Sequence, residues 1–314
     1  MTTFISGGTG TPKVIDGARD VLDGFNVVVN TGDDVEIAGN LVCPDIDTVL
    51  YTLSDRIDRD RWWGVEDDTY ATHEALTGEG VRTERVEAAR ELGEGRAFSG
   101  DGEFMLIGDR DRATHILRSS ALDEGETLTE ATERVADRLG VPEDERVLPA
   151  TDDRVATYVE TDEGEMAFQV WWVARDGEPE PRGVGFRGAD DAEATAEVHD
   201  ALGEDVIIGP SNPVTSLGPV LGVDGVREAL RGTHVVAVSP FVGGEVVSGP
   251  AARLMESVGL PPSSRGVYEA YSDFLDVLVV DGEEVEADCR VVETDTSLET
   301  REDAVRLTET VVGL

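Results

Sequence analysis

Residues 1–30 constrain the fold more than any other stretch of this 314-residue chain. Residues 2–5 (TTFI) are β-prone, 6–11 (SGGTGT) form a glycine-rich turn, and Pro12 suits the first turn of a helix over about 12–22. The apolar run 25–30 (FNVVVN) then reads as a second, buried strand. A strand, a crossover helix and a second strand favour a parallel sheet with helices on both faces. A helix from Pro44 places Ile46, Val49, Leu50 and Leu53 at helical spacing; 104–107 (FMLI) is strand-like, and a helix over about 109–118 follows. After a helix over about 127–139 the alternation breaks. Residues 154–160 (RVATYVE) and 167–174 (AFQVWWVA) read there as strands joined by the polar turn 161–166. It returns at 205–208, 233–238 and 276–280 and closes with a helix over about 298–312. The expected class is α/β: a doubly wound, mostly parallel Rossmann-like sheet over 1–118 and 205–314, with an inserted α+β subdomain over 119–204.

Charge limits the partners. The chain carries 67 Asp+Glu against 26 Lys+Arg, a formal net charge of −41, yet the acids alternate with clean apolar runs. That patterning argues for a folded body with a carboxylate surface rather than for disorder. Lys13 is the only lysine, and replacement this thorough by Arg points to a salt-adapted cytoplasm. No Lys/Arg cluster exists to neutralise a nucleic-acid backbone, so no nucleic-acid partner is expected. Residues 1–5 run straight into the glycine loop, so no signal peptide is expected, and no apolar run reaches the ~20 residues of a membrane span. Cys43 and Cys289 have neither metal spacing nor the density of a disulfide framework and read as reduced thiols.

Four loops carry residues suited to chemistry. In the first, Gly7, Gly8, Thr9, Gly10 and Thr11 lead to Lys13, and backbone amides at a helix start can hold an anion. The pattern is neither a dinucleotide fingerprint nor an ATP phosphate loop, and a plain tight turn is the alternative. In the second, 30–34 (NTGDD) ends the second strand and 44–48 (PDIDT) brings Asp45 and Asp47, acids that suit Mg²⁺ against a diphosphate. Ordinary surface acids are the alternative there. In the third, 108–115 (GDRDRATH), Arg110 and Arg112 can clamp phosphates, while Asp109 reads as a helix cap and His115 as a buried or capping histidine. In the fourth, 209–219 (GPSNPVTSLGP) offers Gly209, Ser211 and Asn212 in a stiff loop, with 239–250 (SPFVGGEVVSGP) at the same sheet edge. Trp62 and Trp63 either pack in a core or line a pocket for a flat ring.

Taken together, GGTGTPK at 7–13, NTGDD at 30–34, GNLVCPDIDTVLYTLSD at 39–55, RWWG at 61–64, GDRDRATH at 108–115, GPSNPVTSLGP at 209–219 and SGPA at 248–251 resemble the 2-phospho-L-lactate transferase (CofD) family of coenzyme F420 biosynthesis. The excess of acids and arginine points to a haloarchaeal member. The resemblance implies Mg²⁺-dependent transfer of a 2-phospholactate or enolpyruvyl phosphate group from a guanosine diphospho donor to the deazaflavin Fo, with release of GMP. It implies that Asp47, Leu106, Ile107, Trp62 and Trp63 serve the deazaflavin, and that Asp33 and Asp47 bind metal. Lys13, Asp33 and Asp47 would be catalytic. The glycine loop, Arg110, Gly209, Ser211 and Asn212 would hold nucleotide and phosphate. A cytoplasmic homodimer acting on small molecules is likewise implied. The segment 79–103 is longer than in the family, which leaves open which residue precedes 107–108 in the pocket. A non-catalytic nucleotide-sugar-binding regulator sharing the GGTG opening is the alternative.

Overall fold

A computed structural model describes residues 1–77, 105–246 and 249–314. Strand β1 (Thr2–Ser6) leads through helix α1 (Gly10–Ala18) to β2 (Phe25–Val29), and the hairpin β3 (Val35–Ile37) and β4 (Asn40–Val42) precedes α2 (Pro44–Leu53) and α3 (Ala71–Thr77). Helices α4 (Asp109–Asp123) and α5 (Leu128–Leu139) lead to β5 (Glu145–Pro149), followed by β6 (Ala156–Thr161), β7 (Gly164–Ala167) and β8 (Gly183–Arg187). Then come α6 (Ala196–Leu202), β9 (Val206–Ile208), α7 (Gly218–Gly222), α8 (Val226–Leu230), β10 (Val235–Val242) and β11 (Glu245–Val246). The chain ends with α9 (Ala251–Ser257), α10 (Ser264–Tyr271), β12 (Val277–Asp281), β13 (Arg290–Glu293) and α11 (Arg301–Val312).

The main sheet runs in the order β13-β12-β10-β9-β1-β2-β5, with every pair along that path parallel and β11 antiparallel on β10. From β1 the chain first builds outward through β2 and β5, then returns to β9 on the other side and builds outward again. The direction of winding therefore reverses between β1 and β9, the place where doubly wound sheets bind their ligands. Strand residues alternate between two cores. Phe4, Val27, Val29, Val236 and Val279 face α1, α2 and α11, whereas Ile5, Val28, Ile208, Ala237 and Leu278 face α6–α10. Helix α5 shows how local sequence fixes an end: Thr127 and Glu130 form a reciprocal capping box, and Gly140 closes the helix in the left-handed region.

Three expectations need adjustment. Residues 105–107 are not a strand, and residue 104 lies outside the described residues. The predicted strand 167–174 is strand only at its start, because Val170–Ala174 coil into a π-helical turn. Its apolar run has no two-residue alternation; Val170, Trp171 and Ala174 are buried while Trp172 and Val173 are exposed, which a strand cannot arrange. Within 119–204, β5 is an edge strand of the main sheet beside β2, while only β6, β7 and β8 form a separate antiparallel sheet.

Candidate active site

Strands β1 and β9 end side by side, and the loops that follow them close on each other. The Thr11 N–H donates to the Ser211 hydroxyl at 3.2 Å, and the two hydroxyls lie 2.8 Å apart. A Cβ on Gly10 would stand 2.0 Å from the Pro210 carbonyl oxygen, and one on Gly7 2.3 Å from that of Ser216. The glycines are required because only bare backbone lets the two loops meet. Asn212 stiffens its side: Oδ1 accepts from the Val214 N–H and Nδ2 donates to Thr215 Oγ1, both at 2.9 Å. Thr9 precedes α1 without a side-chain cap; the Thr11 N–H is held by Ser211 and Pro12 has none, so at the helix start it is the Gly10 amide that can meet an anion. Gly7, Gly8, Thr9, Gly10, Thr11, Gly209, Ser211 and Asn212 are thus brought together as the sequence leads one to expect.

An acid loop joins this junction. Asn30 follows β2; its Oδ1 accepts from the Gly32 N–H at 2.8 Å, and its Nδ2 donates to Asp45 Oδ2 at 2.8 Å. Asn30 Nδ2 also reaches the Thr215 carbonyl at 3.5 Å, and Asp45 lies beside the Gly8 backbone, so the acids adjoin both loops. Burial, and then the Asp45 carboxylate, push the Asp33 carboxyl well above its ordinary range. Burial likewise drives Asp34 and Asp45 upward. One oxygen of Asp33 and one of Asp34 are buried without a hydrogen-bond partner. Buried carboxylates with spare oxygens and no ion pair among the described residues fit a hard divalent ion such as Mg²⁺.

Asp47 follows a different rule. Arg118 of α4, fully buried, bonds both of its oxygens, Nη1 to Oδ2 at 3.2 Å and Nη2 to Oδ1. His115 Nε2 lies 3.2 Å from Asp47 Oδ2 and 3.1 Å from Asp111 Oδ1, and the Tyr51 hydroxyl donates to Asp111 Oδ1 at 2.7 Å. Asp111, His115 and Arg118 share one face of α4 at successive turns. Burial alone would raise the Asp47 carboxyl, but Arg118 and His115 outweigh it and hold the group at about 2. Burial would lower His115, yet Asp111 and Asp47 lift it to about 9. Asp47, Asp111 and His115 bring possible ligand atoms within 4.8 Å of one another, a group that could hold a metal ion. A set containing imidazole suits zinc-like ions better than Mg²⁺, and the Asp47 oxygens are already bonded to Arg118. Of the expected pair Asp33 and Asp47, Asp33 has Asp45 rather than a guanidinium beside it, whereas Asp47 is bonded to Arg118.

Ile107 is buried against Val35, Ile37 and Val42 with Met105 beside it, so 105–107 packs on the hairpin that leads into α2; Leu106 is half-buried in the same segment. The tryptophans lie elsewhere. Trp62 packs with Tyr51, Ile57 and Val65 beneath the Lys13 ammonium, 5.5 Å from its ring, and Trp63 is 41% exposed under Arg61. Lys13 lines a pocket of about 290 Å³ with Asp16, Arg59, Trp62, Thr300 and Arg301, which holds no residue of 6–11 or 209–216. The exposed Arg110 donates to the Glu66 carbonyl at 3.3 Å. Neither Lys13 nor Arg110 is therefore gathered to the joined loops, although both were expected on the donor. Sequence reasoning overlooked Asn30, Thr157 and Arg118. The spacing 111, 115, 118 on one helix face was a usable signal for Arg118; for Thr157, a separate sheet delivers the residue and no local signal exists.

Residues 2–311 match the family described as 2-phospho-L-lactate transferase CofD. The chain is 50% identical to the 2-phospho-L-lactate transferase of Haloarcula marismortui, covering 99% of this chain and 98% of the relative. It is 49% identical to that of Halobacterium salinarum, covering 98% and 95%, and 45% identical to that of Methanosarcina acetivorans, covering 99% and 98%. In fold it resembles a UPF0052-family protein of Bacillus halodurans at a TM-score of 0.64 and 17% identity, covering 99% of this chain and 98% of that one. A reversed winding point lined by glycines and acids, on a chain matched from end to end, belongs to an enzyme: the chain is a member of the 2-phospho-L-lactate transferase (CofD) family.

Proposed function

We propose that this enzyme transfers a 2-phospholactate or enolpyruvyl phosphate group from a guanosine diphospho donor to the terminal ribityl hydroxyl of the deazaflavin Fo. The carrying observation is that the glycine loop, the 209–216 loop and the Asp33–Asp45 acids meet, joined through Asn30 and the Thr11–Ser211 contact. The acceptor oxygen bonds to the phosphorus that bears the lactyl or enolpyruvyl group, the bond from that phosphorus to the bridging oxygen breaks, and GMP leaves with that oxygen. The hydroxyl proton passes to solvent. The glycine-loop backbone at the start of α1 and the Ser211 and Asn212 loop hold the donor diphosphate. Asp33 and Asp45 would hold Mg²⁺, which supplies charge neutralisation for the diphosphate. Ile107 and Leu106 form the apolar wall on the acceptor side, and Asp47, fixed by Arg118, sets the field beside it. Positioning and charge carry such a transfer, which fits a site without a covalent nucleophile.

Among the described residues no helix is long and apolar enough to cross a membrane, in keeping with small soluble substrates. The direct test incubates purified enzyme with Fo, Mg²⁺ and each of the two donors. GMP and a phosphodiester of Fo should form in equal amounts, and chelation should stop both. GMP without an Fo product, or neither product with either donor, would overturn the proposal.

A further inference from the structure

The small antiparallel sheet reaches into the crevice at one residue. Thr157, on β6, is 2% exposed, and its N–H donates to the Gly32 carbonyl at 2.7 Å. A Cβ on Gly32 would lie 2.8 Å from Thr157 Oγ1 and 2.6 Å from Pro219 Cβ. The peptide before Asp33 is therefore gripped between β6 and the start of α7. The same sheet touches the opposing loop, since a Cβ on Gly218 would lie 2.5 Å from the Phe186 ring of β8. The Thr157 hydroxyl stands beside the Asp33 carboxylate without the full geometry of a hydrogen bond. Both Thr157 Oγ1 and Asp33 Oδ1 are buried and partnerless. A buried hydroxyl and a buried carboxylate oxygen left open side by side are costly in a resting protein. They are understandable where a ligand completes the pair, because hydrogen bonds around a reacting site tighten when it fills.

We infer that Thr157 is a positioning residue: its hydroxyl donates to one Asp33 oxygen and turns the other toward the metal and the donor. This rests on the reading of Asp33 given above. The hydroxyl would act as outer-shell partners of metal-holding carboxylates do, orienting the ligand without touching the ion. The antiparallel sheet then becomes part of the machinery, since it supplies the group that orients the acid.

The test compares Thr157→Val, which keeps the shape and the backbone donor, with Thr157→Ser, which keeps the hydroxyl. Mn²⁺ binding to the metal-free enzyme, followed by electron paramagnetic resonance, is the first readout; kcat and KM for Fo are the second. Removal of an outer-shell partner typically weakens metal binding or activity by roughly 10–100-fold. Thr157→Val should fall in that range for Mn²⁺ affinity and kcat with KM for Fo unchanged, and Thr157→Ser should return to within about twofold of wild type. If Val does not fold, Thr157→Ala gives the same contrast against Ser. Normal Mn²⁺ binding and turnover in Thr157→Val, or a Ser variant as impaired as Val, would overturn the inference. Asp33→Asn separates the two levels. If it binds Mn²⁺ normally, the reading of Asp33 fails; if it loses Mn²⁺ while Thr157→Val does not, only the role of Thr157 fails.

Discussion

Asp33 and Asp47 are both buried carboxylates flanking the same crevice, and their surroundings push them in opposite directions. Arg118 and His115 hold Asp47 far below the ordinary range, whereas burial and the neighbouring Asp45 hold Asp33 far above it. Around Asp47 the described carboxylates and cations alternate, from Arg118 through Asp47 and His115 to Asp111 and the Tyr51 hydroxyl. Around Asp33 the nearest charges are more acids, and oxygens remain open. The first arrangement is closed by the protein itself and serves to hold α2 against α4. The second leaves buried carboxylate oxygens without a partner. Two acid groups that look alike in sequence are thus balanced in opposite ways.

The largest effect should come from breaking the closed group. Arg118→Met leaves Asp47 buried without its main counter-charge, and losing one partner of a buried pair costs about 3–5 kcal/mol. Denaturant unfolding measures it directly. A loss below about 1 kcal/mol, the usual worth of an exposed pair, would mean that the network is not a structural anchor.

The open group should respond in the opposite sense. Asp33→Asn removes a carboxylate that the fold does not balance, so stability without divalent metal should be unchanged or raised. Transfer should nevertheless fall by on the order of 10²–10³-fold, as when a preorganised electrostatic group is removed from a reacting site. A variant that unfolds like Arg118→Met would show that the two acid groups do the same work.

How far each group was readable in the sequence follows from how it is built. The parallel sheet, the glycine loop and its partner at 209–216 were legible because each is a local pattern: an apolar run, then glycines, then a helix start. The pairing of Gly10 with Pro210 is not local, but two glycine- and proline-rich loops after adjacent strands made it a reasonable expectation. Asp47 was read as a site acid, yet its closure by Arg118 depends on α4 lying along α2, a packing that no single segment encodes. Thr157 was unreadable for a stronger reason, since a separate sheet carries it to Gly32. Trp62 and Trp63 were not decided by the sequence, because an aromatic pair looks the same whether it lines a ring pocket or packs beside a helix.

A smaller effect should appear in the pH dependence of the closed group. His115 sits at about 9 in the folded protein against an ordinary 6.5, so its stabilisation is complete below about 6.5 and is lost as pH rises through 9. Asp47 sits at about 2 against 3.8, so its contribution is complete above about 3.8 and is lost as pH falls through 2. The stability advantage of wild type over His115→Gln should therefore be flat at pH 5–6 and shrink between about pH 7 and 10. An advantage that grows with pH would mean that His115 is neutral between its two acids.

Lys13 gives the smallest expected effect and the clearest test of what the crevice contains. It follows the glycine loop directly, which makes it look like a phosphate ligand, but Thr11 and not Lys13 faces the opposing loop. The ammonium lies over Trp62 in the pocket beside α11, and burial lowers its proton affinity. The two arginines of that pocket are both held by Asp16, while Lys13 rests on the ring of Trp62. Trp62 itself adopts a left-handed backbone, φ 59°, unusual for so large a residue, and its N–H donates to the Asp58 carbonyl at 2.7 Å. A half-exposed cation over an aromatic ring is worth about 0.5–1 kcal/mol. Lys13→Met keeps most of the apolar stem and should lower stability by that amount, with kcat/KM for the donor within about threefold of wild type. Loss of a phosphate contact would instead cost about 2–4 kcal/mol in transition-state binding, a drop of 30-fold or more. Such a drop would place Lys13 on the donor after all and require the first turn of α1 to rearrange when substrate binds.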